Sequence, residues 1–187
     1  GLGASVTLVG ATDIYPGETT QLQITLSNNN TTAAITNVAF ANTLPGVWPN
    51  ALRIAGAATY TCTDPAGPTT SAGVGVLTAT PGTQNISLTG GVIPMRAAGT
   101  DGTCVIRIPV TAGSSSGSSV TYTYTVASNA VTGTDPGAQT NVGNVSQTVN
   151  VKPVALPTLN KNFSNSTAVL GGAPVTLTIT LNNPTNP

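Results

Sequence analysis

VTLTITLNN at residues 175–183 is a near copy of TQLQITLSN at residues 20–28. Leu22, Ile24 and Leu26 correspond to Leu177, Ile179 and Leu181, each pair standing 155 positions apart. Apolar residues at every second position, separated by Thr and Gln, turn one side of an extended chain toward a core and the other toward solvent. Both stretches therefore read as strands, and their constant spacing marks a repeat. The correspondence extends upstream, with Pro16-Gly17 opposite Gly171-Gly172 and Ile14 opposite Val169, so a turn and the strand behind it recur together. The expected organisation is a complete unit over residues 1–151, a proline-containing linker at 152–158, and the first strands of a second unit at 159–187. Two strands alone do not make a stable domain, and their open edges and apolar faces invite pairing. Either the chain continues into a full second unit, or the segment adds its strands to another subunit.

The same period of two runs through the rest of the chain. Cys104, Ile106, Ile108 and Val110 alternate with Val105, Arg107 and Pro109, predicting a central strand up to Pro109, which has no N–H for a ladder bond. Val120, Tyr122, Tyr124 and Val126 share one face, and Thr121, Thr123 and Thr125 the other. Further strands are predicted at 5–9, 20–27, 35–44, 52–54, 58–62, 74–79, 85–89 and 145–151. Turn signals separate them: Tyr15-Pro16-Gly17-Glu18, a Pro/Gly/Thr/Ser loop at 64–75, Thr80-Pro81-Gly82, Gly90-Gly91, residues 99–102, and a Ser/Gly loop at 114–119. Glu and Lys, good helix formers, are nearly absent. About ten short strands between such turns predict an all-β fold, an immunoglobulin-like Greek-key β-sandwich repeated in tandem. Phe40 and Trp48 are expected to anchor the core. The other reading of Trp48 is a platform on which a sugar stacks.

Charge excludes several functions. Arg53, Arg96, Arg107, Lys152 and Lys161 balance Asp13, Glu18, Asp64, Asp101 and Asp135, and all charged residues together are 5% of the chain, where an average soluble domain has about 25%. With a net charge of zero, neither nucleic acid nor an anionic membrane finds the basic surface it needs. No apolar run is long enough to span a membrane, and residues 1–10 lack the basic start and apolar core of a signal peptide. The chain has no His and only scattered carboxylates, which predicts no enzyme, no catalytic residue and no cofactor. Without His or a CxxC pair, a zinc or thioredoxin-like centre has no ligands.

Asp64, Asp101 and Asp135 lie in Gly/Pro loops, where Asp either caps a turn or, with carbonyls nearby, holds calcium. A lysine–asparagine isopeptide bond would require a carboxylate buried beside both. Asn29, Asn30, Asn85, Asn144, Asn162 and Asn165 each begin an N-x-S/T sequon, a pattern that chance supplies freely in a Thr- and Asn-rich chain. Cys62 and Cys104, separated by 42 positions, both sit in strand-like sequence. They are expected to form a disulfide, which implies an oxidising compartment, two buried thiols being the other reading.

Gly171-Gly172 leading to Thr176-Leu177-Thr178-Ile179-Thr180-Leu181-Asn182-Asn183-Pro184 resembles the opening strand of a known family. Val38-Ala39-Phe40-Ala41-Asn42-Thr43-Leu44-Pro45 is similar to its second signature, which commonly carries Asp at the position of Asn42. Gly90-Gly91-Val92-Ile93-Pro94 followed by Gly102-Thr103-Cys104-Val105-Ile106 resembles its Gly-rich turn and Cys-bearing strand, and Lys161-Asn162-Phe163-Ser164 looks like the start of a repeat. These are the tandem conserved-repeat domains, immunoglobulin-like and of unassigned function, found in large bacterial and archaeal cell-surface and adhesin-like proteins. The resemblance implies an extracellular sheath, stalk, filament or adhesin role, with neighbouring repeats or subunits as partners and no known catalytic residue. The alternative expectation is an adhesin module that binds a glycan or host protein through loops such as 64–75 or 114–119.

Overall fold

Alternating sequence becomes strand throughout. The computed structural model describes residues 1–114 and 117–184, among which there are seventeen strands and no helix. β1 (Leu2–Val9), β2 (Asp13–Ile14), β3 (Thr19–Asn28), β4 (Ile35–Thr43), β5 (Gly46–Val47) and β6 (Asn50–Ile54) come first. β7 (Thr59–Asp64), β8 (Thr69–Ala72), β9 (Val76–Thr78), β10 (Asn85–Ile93) and β11 (Gly102–Ala112) follow. β12 (Val120–Val126), β13 (Thr132–Asp135), β14 (Gly137–Thr140) and β15 (Val145–Val151) precede the linker, and β16 (Thr158–Phe163) and β17 (Leu177–Asn182) lie beyond it.

β3 and β11 organise the largest sheet, whose order is β1-β3-β11-β6-β5, with β7 also on β11 and β8 on β7. A second sheet runs β14-β13-β4-β10-β9 and a third β12-β15-β2. The inward residues of β3 and β11 meet those of β4, β10, β12 and β15 in one apolar cluster. Each fully buried Leu or Ile there contributes about 1.5–3 kcal/mol relative to exposure. The arrangement is all-β, in several sheets, and consistent with a β-sandwich.

Its buried polar groups are satisfied. Asn28 donates from Nδ2 to the carbonyls of Ala33 (3.1 Å) and Ile93 (3.3 Å). Asn141 accepts from the Val131 N–H (2.9 Å) and donates to the Ala127 carbonyl (3.0 Å). No buried side-chain nitrogen or oxygen among the described residues lacks a partner.

Several local expectations change. β11 does not stop at Pro109 but runs on to Ala112. β7 pairs with β11 from Thr103 to Arg107 and β6 from Val110 to Ala112, so Pro109 stands at the change-over, its carbonyl accepting from the Ala55 N–H. The missing N–H is harmless there because on the β6/β7 edge no strand residue is paired with Pro109.

Gly90-Gly91 is no turn but part of β10, where Gly90 adopts φ 65 and the register with β4 shifts. The glycines supply a bulge instead of a reversal. Asn37, at φ 51, makes a similar irregularity in β4, which is why Ile35, Val38 and Phe40 are buried out of strict alternation. The expected 64–75 loop contains β8, hairpinned to β7. β13 and β14 lie in a stretch with almost no large apolar residues, so alternation could not reveal them.

Phe40 is in the core as expected, but Trp48 is not: it remains 37% exposed, in the short β5–β6 hairpin. The Arg53 guanidinium lies over its ring at 3.6 Å from the centroid, so a cation covers the aromatic face instead of core side chains.

Candidate functional site

The echo strands lie in opposite environments. Leu22, Ile24 and Leu26 have no exposed surface, whereas Leu177, Ile179 and Leu181 are 47%, 60% and 77% exposed. β16 and β17 form a two-stranded antiparallel ribbon of their own. Its pairs are Leu159 with Leu181, Lys161 with Ile179, and Phe163 with Leu177. In the first sheet the corresponding pairs are Ala4 with Leu26, Val6 with Ile24, and Leu8 with Leu22. Every member of one set is displaced by 155 positions from its counterpart in the other, so the two hairpins share one register.

Cross-strand partners project to the same face. One face of the ribbon therefore carries Leu159, Phe163, Leu177, Ile179, Leu181 and the stem of Lys161. The other carries only threonine and asparagine.

The turn departs slightly from this spacing. Gly17 has φ 85 and the Glu18 N–H bonds to the Tyr15 carbonyl (3.0 Å), while Gly171 has φ 74 and the Gly172 N–H bonds to the Val169 carbonyl (2.9 Å). These match at 154 positions, so Gly17 corresponds to Gly171 and one residue is gained between turn and strand. The expected match of Pro16-Gly17 with Gly171-Gly172 is corrected by one position. Positive φ, which Gly adopts at no steric cost, sets the turn independently of the strand.

Cys62 and Cys104 are directly opposite on β7 and β11 and joined in a disulfide, with Cα atoms 4.0 Å apart. Of the two sequence readings, the bridge is the one present. The chain leaves the main body where the Lys152 N–H bonds to the Ile14 carbonyl (2.8 Å) and its ammonium lies 4.2 Å from the Tyr15 ring centroid. Lys161 is exposed on the ribbon. Neither lysine is thus in the buried grouping that an isopeptide needs.

The three loop aspartates are engaged by protein. Asp64 accepts from the Ala66 N–H (2.9 Å), Asp101 pairs with Arg96, and Asp135 accepts from Asn30. No group of three metal-ligating side chains occurs among the described residues.

A cleft of about 370 Å³ is lined by Pro16, Gly17, Trp48, Arg53, Thr111 and Gly113. It adjoins the linker exit, since Pro16 follows Tyr15. Of the two segments expected as alternative binding loops, 64–75 turns beside the start of β11 and folds back on β7 as β8, and the other is 114–119. Ser115 and Ser116 of the latter lie outside the described residues, as do residues 185–187.

Three tyrosine hydroxyls are held above the usual phenol range by burial: Tyr60, Tyr122 and, most strongly, Tyr124. The Tyr124 hydroxyl donates to Asn42 Oδ1 (2.7 Å), tying β12 to β4. Alternation showed that Tyr124 is buried, but nothing in the sequence paired it with Asn42, 82 positions away.

No protein-family model matches the chain and no curated protein is similar to it. Among solved structures, a family 123 glycoside hydrolase from Clostridium perfringens is similar at 12% identity and a TM-score of 0.39, over 82% of this chain and 28% of that one. AvmM, which catalyses macrocyclization in alchivemycin A biosynthesis, is similar at 10% identity and a TM-score of 0.31, over 83% of this chain and 91% of its own. Likenesses this distant assign no chemistry.

Proposed function

We propose that the chain is an extracellular structural repeat of a cell-surface protein, sheath or filament, an immunoglobulin-like Greek-key sandwich assembled head to tail, mechanical in role and not catalytic. The observation that carries this reading is the shared register of the β1–β3 and β16–β17 hairpins at a constant 155-position offset. The disulfide fits an oxidising compartment. The near-uncharged, Thr- and Asn-rich surface fits side-by-side packing without strong repulsion. Val151 ends the last strand of the first unit and Thr158 begins the next hairpin, so six residues, including Pro153 and Pro157, hold successive units close and limit their swing.

The test is electron microscopy of native surface material with residues 152–184 traced in density. Sandwiches joined end to end through this segment are expected. Isolated single sandwiches carrying a bound ligand would refute the proposal.

A second reading, an adhesin module, draws on one observation, the half-exposed Trp48 beside Arg53 in an open cleft. Glycan-array binding that disappears in a folded Trp48→Ala variant would favour it.

A further inference from the structure

In the first unit β3 is never an edge. β1 and β11 flank it, both antiparallel, so Leu22, Ile24 and Leu26 stand between Leu8, Val6 and Ala4 on one strand and Ile108, Ile106 and Cys104 on the other. β17 copies β3, and β16 copies β1, but among the described residues nothing pairs with the other edge of β17. That edge presents unpaired N–H and C=O groups beside a row of exposed Leu177, Ile179 and Leu181.

We infer that the open edge of β17 is the acceptor for one further strand of β11 chemistry, antiparallel to it and apolar at alternate positions. This rests on the repeat reading above and adds the edge, the direction and the register. Displaced by 155 positions, the β3–β11 ladder places residues of the type of Ile108, Ile106 and Cys104 opposite Leu177, Ile179 and Leu181. A residue of the type of Arg107, which faces Gln23 on the polar side of the first sheet, falls opposite Thr178.

Ladder hydrogen bonds supply affinity, and the alternation supplies register. A slip of one residue would press apolar side chains onto the Thr/Asn face. The β11 strand of a second folded copy is not the donor, because β3 holds one of its edges and β6 and β7 the other.

The probe is a synthetic peptide of residues 102–109 bearing Cys104→Ser, added to the 187-residue chain and followed by hydrogen–deuterium exchange. At a peptide concentration about ten times its Kd, the open-edge amides of β17, every second one along residues 177–182, are expected to exchange about tenfold more slowly, with those of β3 unchanged. Ile179→Asp should abolish the effect without moving the melting temperature of the main body. Exchange that stays fast at every peptide concentration overturns the inference. Equal slowing by a shuffled peptide overturns the register.

Protection without peptide that rises with protein concentration, accompanied by dimers in sedimentation, overturns the assignment of the occupant by giving the edge to a second ribbon. None of these outcomes depends on whether native filaments are found, so the repeat reading stands or falls separately.

Discussion

Ile24 and Ile179 occupy the same place in the same hairpin register, yet one has no exposed surface and the other is 60% exposed. Truncation separates them: Ile24→Ala is expected to cost about 2–5 kcal/mol through lost transfer energy and an unfilled cavity. Ile179→Ala should stay within about 0.5 kcal/mol. Urea denaturation of the two variants measures the difference directly. Tyr124 makes a second test. Tyr124→Phe removes its bond to half-buried Asn42 and should cost about 0.5–1.5 kcal/mol.

The phenol also has a pH signature. Below about pH 10 the group is protonated in both folded and unfolded chains, so it adds no pH dependence. Above that value the unfolded phenol ionises while burial keeps the folded one neutral, and stability falls as pH rises. Melting temperature between pH 8 and 12 should therefore drop above 10, and less steeply in Tyr124→Phe, with Tyr60 and Tyr122 carrying the remaining slope. That Tyr124 is buried was legible from its alternation with threonines; that Asn42 receives its hydroxyl was not, because the contact joins separate sheets.

At the scale of elements, β11 holds the main body together. It is flanked by β3, β6 and β7 and carries one end of the disulfide. Reduction, or Cys62→Ser with Cys104→Ser, opens a loop closed across 42 positions and is expected to lower stability by about 2–4 kcal/mol. Denaturation midpoints with and without reductant read this out.

The entry to β11 is also constrained. A Cβ on Gly102 would lie 1.8 Å from the Pro94 carbonyl oxygen, so Gly102→Ala must displace backbone. Strands with strict alternation, β3, β11 and β12, were readable with their inward faces. β4 and β10 were readable only in part, since irregularities at Asn37 and Gly90-Gly91 break the period within a continuous strand. Glycine pairs signal freedom of φ, and whether that freedom makes a turn or a bulge depends on the strand alongside.

For the whole molecule, the main body should not need the ribbon. A chain ending after Pro153, which keeps Lys152 on Ile14 and Tyr15, is expected to have a stability within about 1 kcal/mol of the full chain's, because every residue of β16 and β17 is exposed. Calorimetry of the two chains decides it. Composition and alternation by themselves determined the all-β class, the inward faces of the regular strands, the strand-like setting of both cysteines and the 155-position echo. These are local or periodic properties, and a strand's side chains alternate whatever lies beside it.

The tertiary structure decided the rest. It set which strands are neighbours, and it left Trp48 stacked under Arg53 instead of in the core. It folded residues 69–72 back onto β7, and it buried one copy of the hairpin while leaving the other bare. Burial belongs to the surroundings of a strand and not to the strand. The same leucines and isoleucine are core at Leu22, Ile24 and Leu26, where a second layer covers them, and surface at Leu177, Ile179 and Leu181, where among the described residues none does.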